Sequence, residues 1–178
     1  MSMLNLDKLA AERAQAMVNT VRTKAEREAT ERGQRENKPP DQIERDKQAL
    51  RKKRTETLER LATKTLGVLQ GQGVYAMMLF LFSRTGEEEM VSPIIRDQLF
   101  KAIQELPRFE NNGAVQALQE STDAKEALEV YSTYVLNDLD TLLLVRDLYE
   151  QTLIYTRFGA KAAKAASGSE SGAERAET

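Results

Sequence analysis

The stretch Val74-Tyr75-Ala76-Met77-Met78-Leu79-Phe80-Leu81-Phe82 is apolar on every side and is bounded by Gly71-Gln72-Gly73 before it and Ser83 after it. It is about half the length that a bilayer crossing needs, so it reads as a core helix around which the rest of the chain packs. The flanking sequence supplies helices for that packing. From about Leu4 to Arg32 there is no Gly or Pro, and Ala, Glu, Arg and Lys dominate, all of them strong helix formers. Leu6, Leu9, Ala10, Ala14, Met17, Val18 and Val21 recur at spacings of three and four, which predicts one buried stripe. After Val21 the stripe fades into charge, and the helix is expected to project outward.

Gly33 and the Pro39-Pro40 pair mark a turn, so a second helix from about Asp41 to Gln70 pairs with the first as a hairpin. It carries Ile43, Leu50, Leu58, Leu61, Leu66 and Leu69 as its apolar side and Arg51-Lys52-Lys53-Arg54 in its middle. Ser92-Pro93 reads as an N-cap followed by proline at the first helical position. The helix it opens runs to about Leu106 and buries Ile94, Ile95, Leu99, Phe100 and Ile103, with Pro107 ending it. A short helix over Val115–Glu120, another from Ala124 to Val135 capped by Asp123, and a last one from about Leu139 to Ala165 complete the set. That last helix carries Leu142, Leu143, Val145, Leu148, Tyr149, Leu153, Ile154 and Phe158 as its apolar residues, and Asp138 and Asp140 read as capping and dipole complement at its start. The prediction is an all-α, single-domain helical bundle over 1–166, with 21–58 as a projecting charged hairpin and a disordered Ser/Gly/Glu tail over 167–178.

Chemistry is constrained by what is missing. With no His and no Cys, the commonest general base, thiolate nucleophile and transition-metal ligands are all absent. Only carboxylates, lysines and hydroxyls are left. Glu87-Glu88-Glu89 could attract a hard cation but is read as a solvated loop, and Gly71-Gln72-Gly73 lacks the ending of a phosphate-binding loop. No catalytic residue, metal site or cofactor is therefore assigned, and the expectation is a binding protein rather than an enzyme. The start of the chain has no signal-peptide pattern and no membrane partner is expected, which is compatible with a cytoplasmic setting.

Charge gives the positive clue. Residues 1–64 carry 16 Lys/Arg and 11 Asp/Glu, a net of +5, whereas residues 65–178 carry 10 and 17, a net of −7. Such polarity steers a polyanion or an acidic partner onto one part of a molecule. The cations that stand out are Arg51, Lys52, Lys53 and Arg54, with Arg146, Arg157, Lys161 and Lys164 as a second group toward the end of the last helix.

Two segments carry a resemblance. Leu69-Gln70-Gly71-Gln72-Gly73-Val74-Tyr75-Ala76-Met77-Met78-Leu79-Phe80-Leu81 is similar to the polar, Gly-containing break and core helix of the small helical subunit of type III CRISPR RNA-guided effector complexes, particularly the Cmr (type III-B) branch. Arg146-Asp147 followed by Arg157-Phe158 resembles that family's closing helix. The likeness spans roughly Leu58 to Ala165. It departs from the family in lacking a Trp in the closing helix and in the length of its charged hairpin. The resemblance implies a non-catalytic subunit for antiviral defence that stacks with copies of itself and with other effector subunits, lining the channel that holds the guide RNA and its target. Spaced cations suit such a role, because a strand of phosphates needs Lys and Arg rather than a base-reading pocket. The alternative is a structural adaptor whose hairpin binds other proteins' helices and touches no nucleic acid.

Overall fold

The computed structural model describes residues 5–173, with side chains as far as 166, and these form an all-α helical bundle. Six helices follow one another: α1 (Leu6–Arg35), α2 (Pro40–Phe82), α3 (Ser92–Gln104), α4 (Gly113–Gln116), α5 (Ala124–Tyr134) and α6 (Leu139–Ala173). Two short 3₁₀ turns, Gly86–Met90 and Pro107–Phe109, sit between them. The expected start at Leu4 and the last residues of the tail, 174–178, lie outside the described residues. The helical backbone of α6 continues to Ala173 rather than stopping near Ala165. Extending an established helix fixes one residue per added hydrogen bond, which is far less costly than nucleating a new one.

The N-termini are set by local chemistry. Asn5 caps α1 by accepting a hydrogen bond from the Lys8 amide at 3.0 Å, and Asp123 does the same for α5 through the Glu126 amide at 2.9 Å. Asp138 accepts from the Thr141 amide at 3.0 Å at the start of α6. Ser92 is not a cap. It is the first residue of α3, and its hydroxyl donates to the Leu81 carbonyl, tying α3 to the end of α2. Proline at the next position costs nothing, because its missing N–H would have had no partner in the first turn.

The stripe on α1 does not end at Val21. It continues through Ala25, Ala29 and Gly33, all buried, in steps of four. These residues carry too little apolar surface to mark a stripe in the sequence, yet their small size lets α2 approach. A Cβ on Gly33 would lie 2.5 Å from Ile43 Cγ1, so glycine is required there by contact. Toward the turn the hairpin is stitched by charge. Glu26 pairs with Arg51 at 3.0 Å and Glu28 with Arg54 at 3.2 Å, while Lys38 bridges Glu36 and Asp46 at 3.0 and 2.8 Å. Ile43 and Leu50 are only half-buried, unlike Leu58, Leu61, Leu66 and Leu69.

The Gly71–Gly73 break is a kink at one residue. Gly73 takes φ +90° and ψ −178°, and helix resumes on both sides, so α2 is one bent element. Beyond the kink Val74, Met77, Met78 and Leu81 are buried, but Tyr75 and Leu79 are 39% and 50% exposed, so this segment is not enclosed on all sides. By length and composition α2 is also apolar enough to cross a membrane, although its buried residues here belong to the bundle core.

α6 closes the bundle by lying antiparallel to α2 and parallel to α1. Lys164 meets Glu59, Gln70 meets Glu150, and Gln151 and Tyr155 both reach Asp7. Val145, Leu148, Tyr149 and Leu153 face the core, whereas Leu143 and Phe158 are exposed. Where α3, α5 and α6 converge, the Tyr131 and Tyr149 hydroxyls share a hydrogen bond and Tyr149 donates to the Leu99 carbonyl at 3.0 Å. Phe100 packs against Tyr131 with ring centroids 6.3 Å apart. Burial pushes both tyrosine hydroxyls well above their ordinary pKa.

Candidate nucleic-acid interface

Four consecutive residues on an α-helix point in directions 100° apart, so a run such as 51–54 cannot present one face. Arg51 and Arg54 turn toward α1 and are held by Glu26 and Glu28, with side-chain exposures of 23% and 14%. Lys53 turns away and pairs with Glu87 at 2.6 Å. Lys52 is exposed and has no ion pair among the described residues. The basic run is therefore divided among three environments, and its two arginines are engaged in joining α1 to α2.

The second group divides differently. Lys164 pairs with Glu59 across α6 and α2 at 3.2 Å. Arg146, Arg157 and Lys161 have no ion pair among the described residues; Arg157 and Lys161 are exposed and Arg146 is half-buried. Arg146 and Arg157 are three turns apart, about 16 Å along the axis, and Lys161 adds roughly one more turn. The three thus lie along one side of α6. Phe158 is 57% exposed beside them, with the Arg157 guanidinium 5.7 Å from its ring centre. Unpaired cations beside an exposed aromatic face can hold phosphates and stack a base.

Lys53 also belongs to a third set, whose other members, Arg60 and Lys64, were not singled out in the sequence because the three are seven and four residues apart. Lys53, Arg60 and Lys64 share one face of α2, and the 3₁₀ turn Gly86–Met90 lies against it. Glu87 reaches Lys53 at 2.6 Å and Arg60 at 3.7 Å, while Glu88 meets Lys64 at 2.8 Å, Arg84 at 3.4 Å and Arg60 at 3.7 Å. The Lys53 ammonium holds the Glu87 carboxyl below its ordinary pKa. Burial alone would raise that of Glu88, but the Lys64 and Arg84 charges outweigh it and the net shift is downward. Two of the three acids in the run, Glu87 and Glu88, are thus taken up by lysine and arginine, while Glu89 is exposed. Among the described residues no group of three or more acidic side chains is placed to hold a metal ion.

A shallow groove of about 570 Å³ runs between α1 and α6, lined by Ala11, Gln15, Asn19 and Gly159 with Asp7 and Tyr155 at one end. The Tyr155 hydroxyl donates to the Asp7 carboxylate, which also accepts from Gln151. Compared with known proteins, the chain matches no family model, no curated protein and no solved structure.

Proposed function

We propose that this chain is a non-catalytic helical subunit of an RNA-guided effector complex of the type III (Cmr, type III-B-like) kind, holding RNA phosphates within a larger assembly in antiviral defence. The observation that carries the RNA contact is the row of unpaired cations Arg146, Arg157 and Lys161 on α6, with Phe158 exposed beside them. Lys52 is a further cation on α2 with no ion pair among the described residues. The placement in a CRISPR complex comes from the Leu69–Leu81 and Arg146–Phe158 segments and their likeness to the small subunit. Sequence specificity in such an assembly resides in guide pairing, so the subunit needs only to track a backbone.

The experiment is a salt titration of binding to single-stranded and duplex RNA. Replacing Arg146, Arg157 and Lys161 by Gln removes three phosphate contacts and lowers the salt slope on single strands by about 2. An unchanged slope would dismiss α6 as the contact face. Purification from the native host tests the assembly, since a subunit of this kind comes away with a discrete small RNA and protein partners.

A second reading is favoured by a different observation. Tyr75, Leu79, Leu139 and Leu143 are exposed apolar residues, and Arg51 and Arg54 of the hairpin are internally paired. Both suit an adaptor that docks proteins without nucleic acid. Cross-links confined to protein neighbours along these residues, with no RNA recovered, would select that reading.

A further inference from the structure

Lys53, Arg60 and Lys64 form a cationic strip about 16 Å long on α2, measured along its axis. The acidic turn lies against it, while its side chains stay about half exposed. The two carboxylates that meet it are unlike each other. Glu88 is buried, its side chain 12% exposed, and Lys64 and Arg84 both hold it. Arg84 is itself fixed, donating to the Phe80 carbonyl at 2.9 Å with its guanidinium 3.8 Å from the Phe80 ring centre. That end is an anchor. Glu87 is 47% exposed, and the side chains it meets, Lys53 and Arg60, are 58% and 55% exposed. Its distance to Arg60, 3.7 Å, is too long for a hydrogen bond, so Arg60 keeps its donors for another acceptor. Pairs as exposed as these are worth little in water, so a ligand that brings several negative charges at once outcompetes a single carboxylate.

We propose that Glu87 is an intramolecular stand-in for a phosphate, covering a second RNA-backbone site made by Lys53 and Arg60, which opens when Glu87 is displaced. The proposal rests on the RNA reading above and adds to it a masked site on α2, separate from the row on α6. Gly86, at φ +64°, turns the chain so that Glu87 faces α2. Glu88 keeps the turn docked while Glu87 swings away, so opening the site leaves the bundle intact.

The test uses the full chain and a fluorescein-labelled 20-nucleotide oligouridylate at low salt. Glu87→Gln raises affinity about two- to five-fold, the range set by an exposed ion pair. Adding Arg60→Gln to Glu87→Gln abolishes the gain. Glu110→Gln, an exposed acid away from the strip, controls for net charge and leaves affinity unchanged. A rise with Glu110→Gln equal to that with Glu87→Gln, or persistence of the gain without Arg60, would overturn the masked site. So would wild-type binding that depends on Arg157 and Lys161 but does not respond to Glu87→Gln, and that result would leave the α6 reading standing. Absence of RNA binding by wild type and Glu87→Gln alike would overturn both. A gain for polyglutamate without one for the oligonucleotide would assign the strip to an acidic protein and overturn the RNA site.

Discussion

Two glycines two residues apart on α2 respond in opposite directions to the same substitution. Gly73 sits at φ +90° and ψ −178°, a region that only glycine occupies without strain, and a non-glycine residue held there costs about 1–3 kcal/mol. Nothing lies within 4 Å of where its Cβ would be, so the whole effect of Gly73→Ala comes from the backbone. Gly71 is helical and equally uncrowded, and alanine there gains about 0.5–1 kcal/mol. In a domain of this size 1 kcal/mol moves the midpoint by roughly 2–4 °C. Gly73→Ala therefore lowers Tm by about 2–12 °C, while Gly71→Ala raises it by about 1–4 °C. Thermal melts at 222 nm and urea titrations with comparable slopes measure both. A Gly73→Ala protein as stable as wild type, or a Gly71→Ala protein destabilised to the same degree, would show that Gly73 does not hold the bend. The bend also sets which side of the Val74–Phe82 segment is buried, so losing it would alter the exposure of Tyr75 and Leu79.

Other consequences follow from the pairing of charges and from the buried tyrosines. Arg51→Gln and Arg54→Gln each cost less than about 1 kcal/mol in urea denaturation and leave RNA affinity unchanged, whereas Arg157→Gln weakens binding; equal losses from all three would restore the basic run as an RNA contact. Tyr149→Phe removes the extra bond to the Leu99 carbonyl and leaves the buried Tyr131 hydroxyl without its partner, costing about 1–3 kcal/mol, more than Tyr131→Phe, which keeps the Tyr149–Leu99 bond; the reverse order in urea midpoints would contradict the network. Because burial raises the pKa of Tyr131 and Tyr149, the stability due to their neutral forms is full below the ordinary value of 10.0 and is lost as pH rises beyond it. Their phenolate absorbance should therefore grow only as helical signal disappears, and growth in a fully helical protein would refute this. Glu88 has a lowered pKa, so its contribution is present above the ordinary 4.5 and is lost as pH falls through its folded value. Glu88→Gln should be less stable than wild type at pH 7 and should lose less of its stability on acidification, as read by melts from pH 7 down to pH 3.

Local patterns were a good guide wherever the cause was local. Asp123 and Asp138 act as caps, Pro107 follows the end of α3, and the Gly71–Gly73 interruption appears as a bend at Gly73. Reasoning from pattern missed interactions set by a second element. Ala25, Ala29 and Gly33 looked like the fading of a stripe, yet their smallness admits α2. Ser92 had the composition of a cap, but the nearby Leu81 carbonyl takes its hydroxyl. Leu143 and Phe158 had core spacing and still face outward, because the neighbours of α6 do not cover its whole apolar arc.

Composition and periodicity by themselves determined that the chain forms helices around one core and that it has no histidine or cysteine chemistry to offer. Both are properties of residues and of near neighbours along the chain. Which cations are free was decided only by tertiary structure. Arg51 and Arg54 meet glutamates on α1, Lys53 meets the acidic turn, Lys164 meets Glu59, and Lys52, Arg146, Arg157 and Lys161 have no such pair among the described residues. An ion pair depends on the register between helices distant in sequence, and that register is settled by side-chain packing across the bundle rather than by the charges themselves.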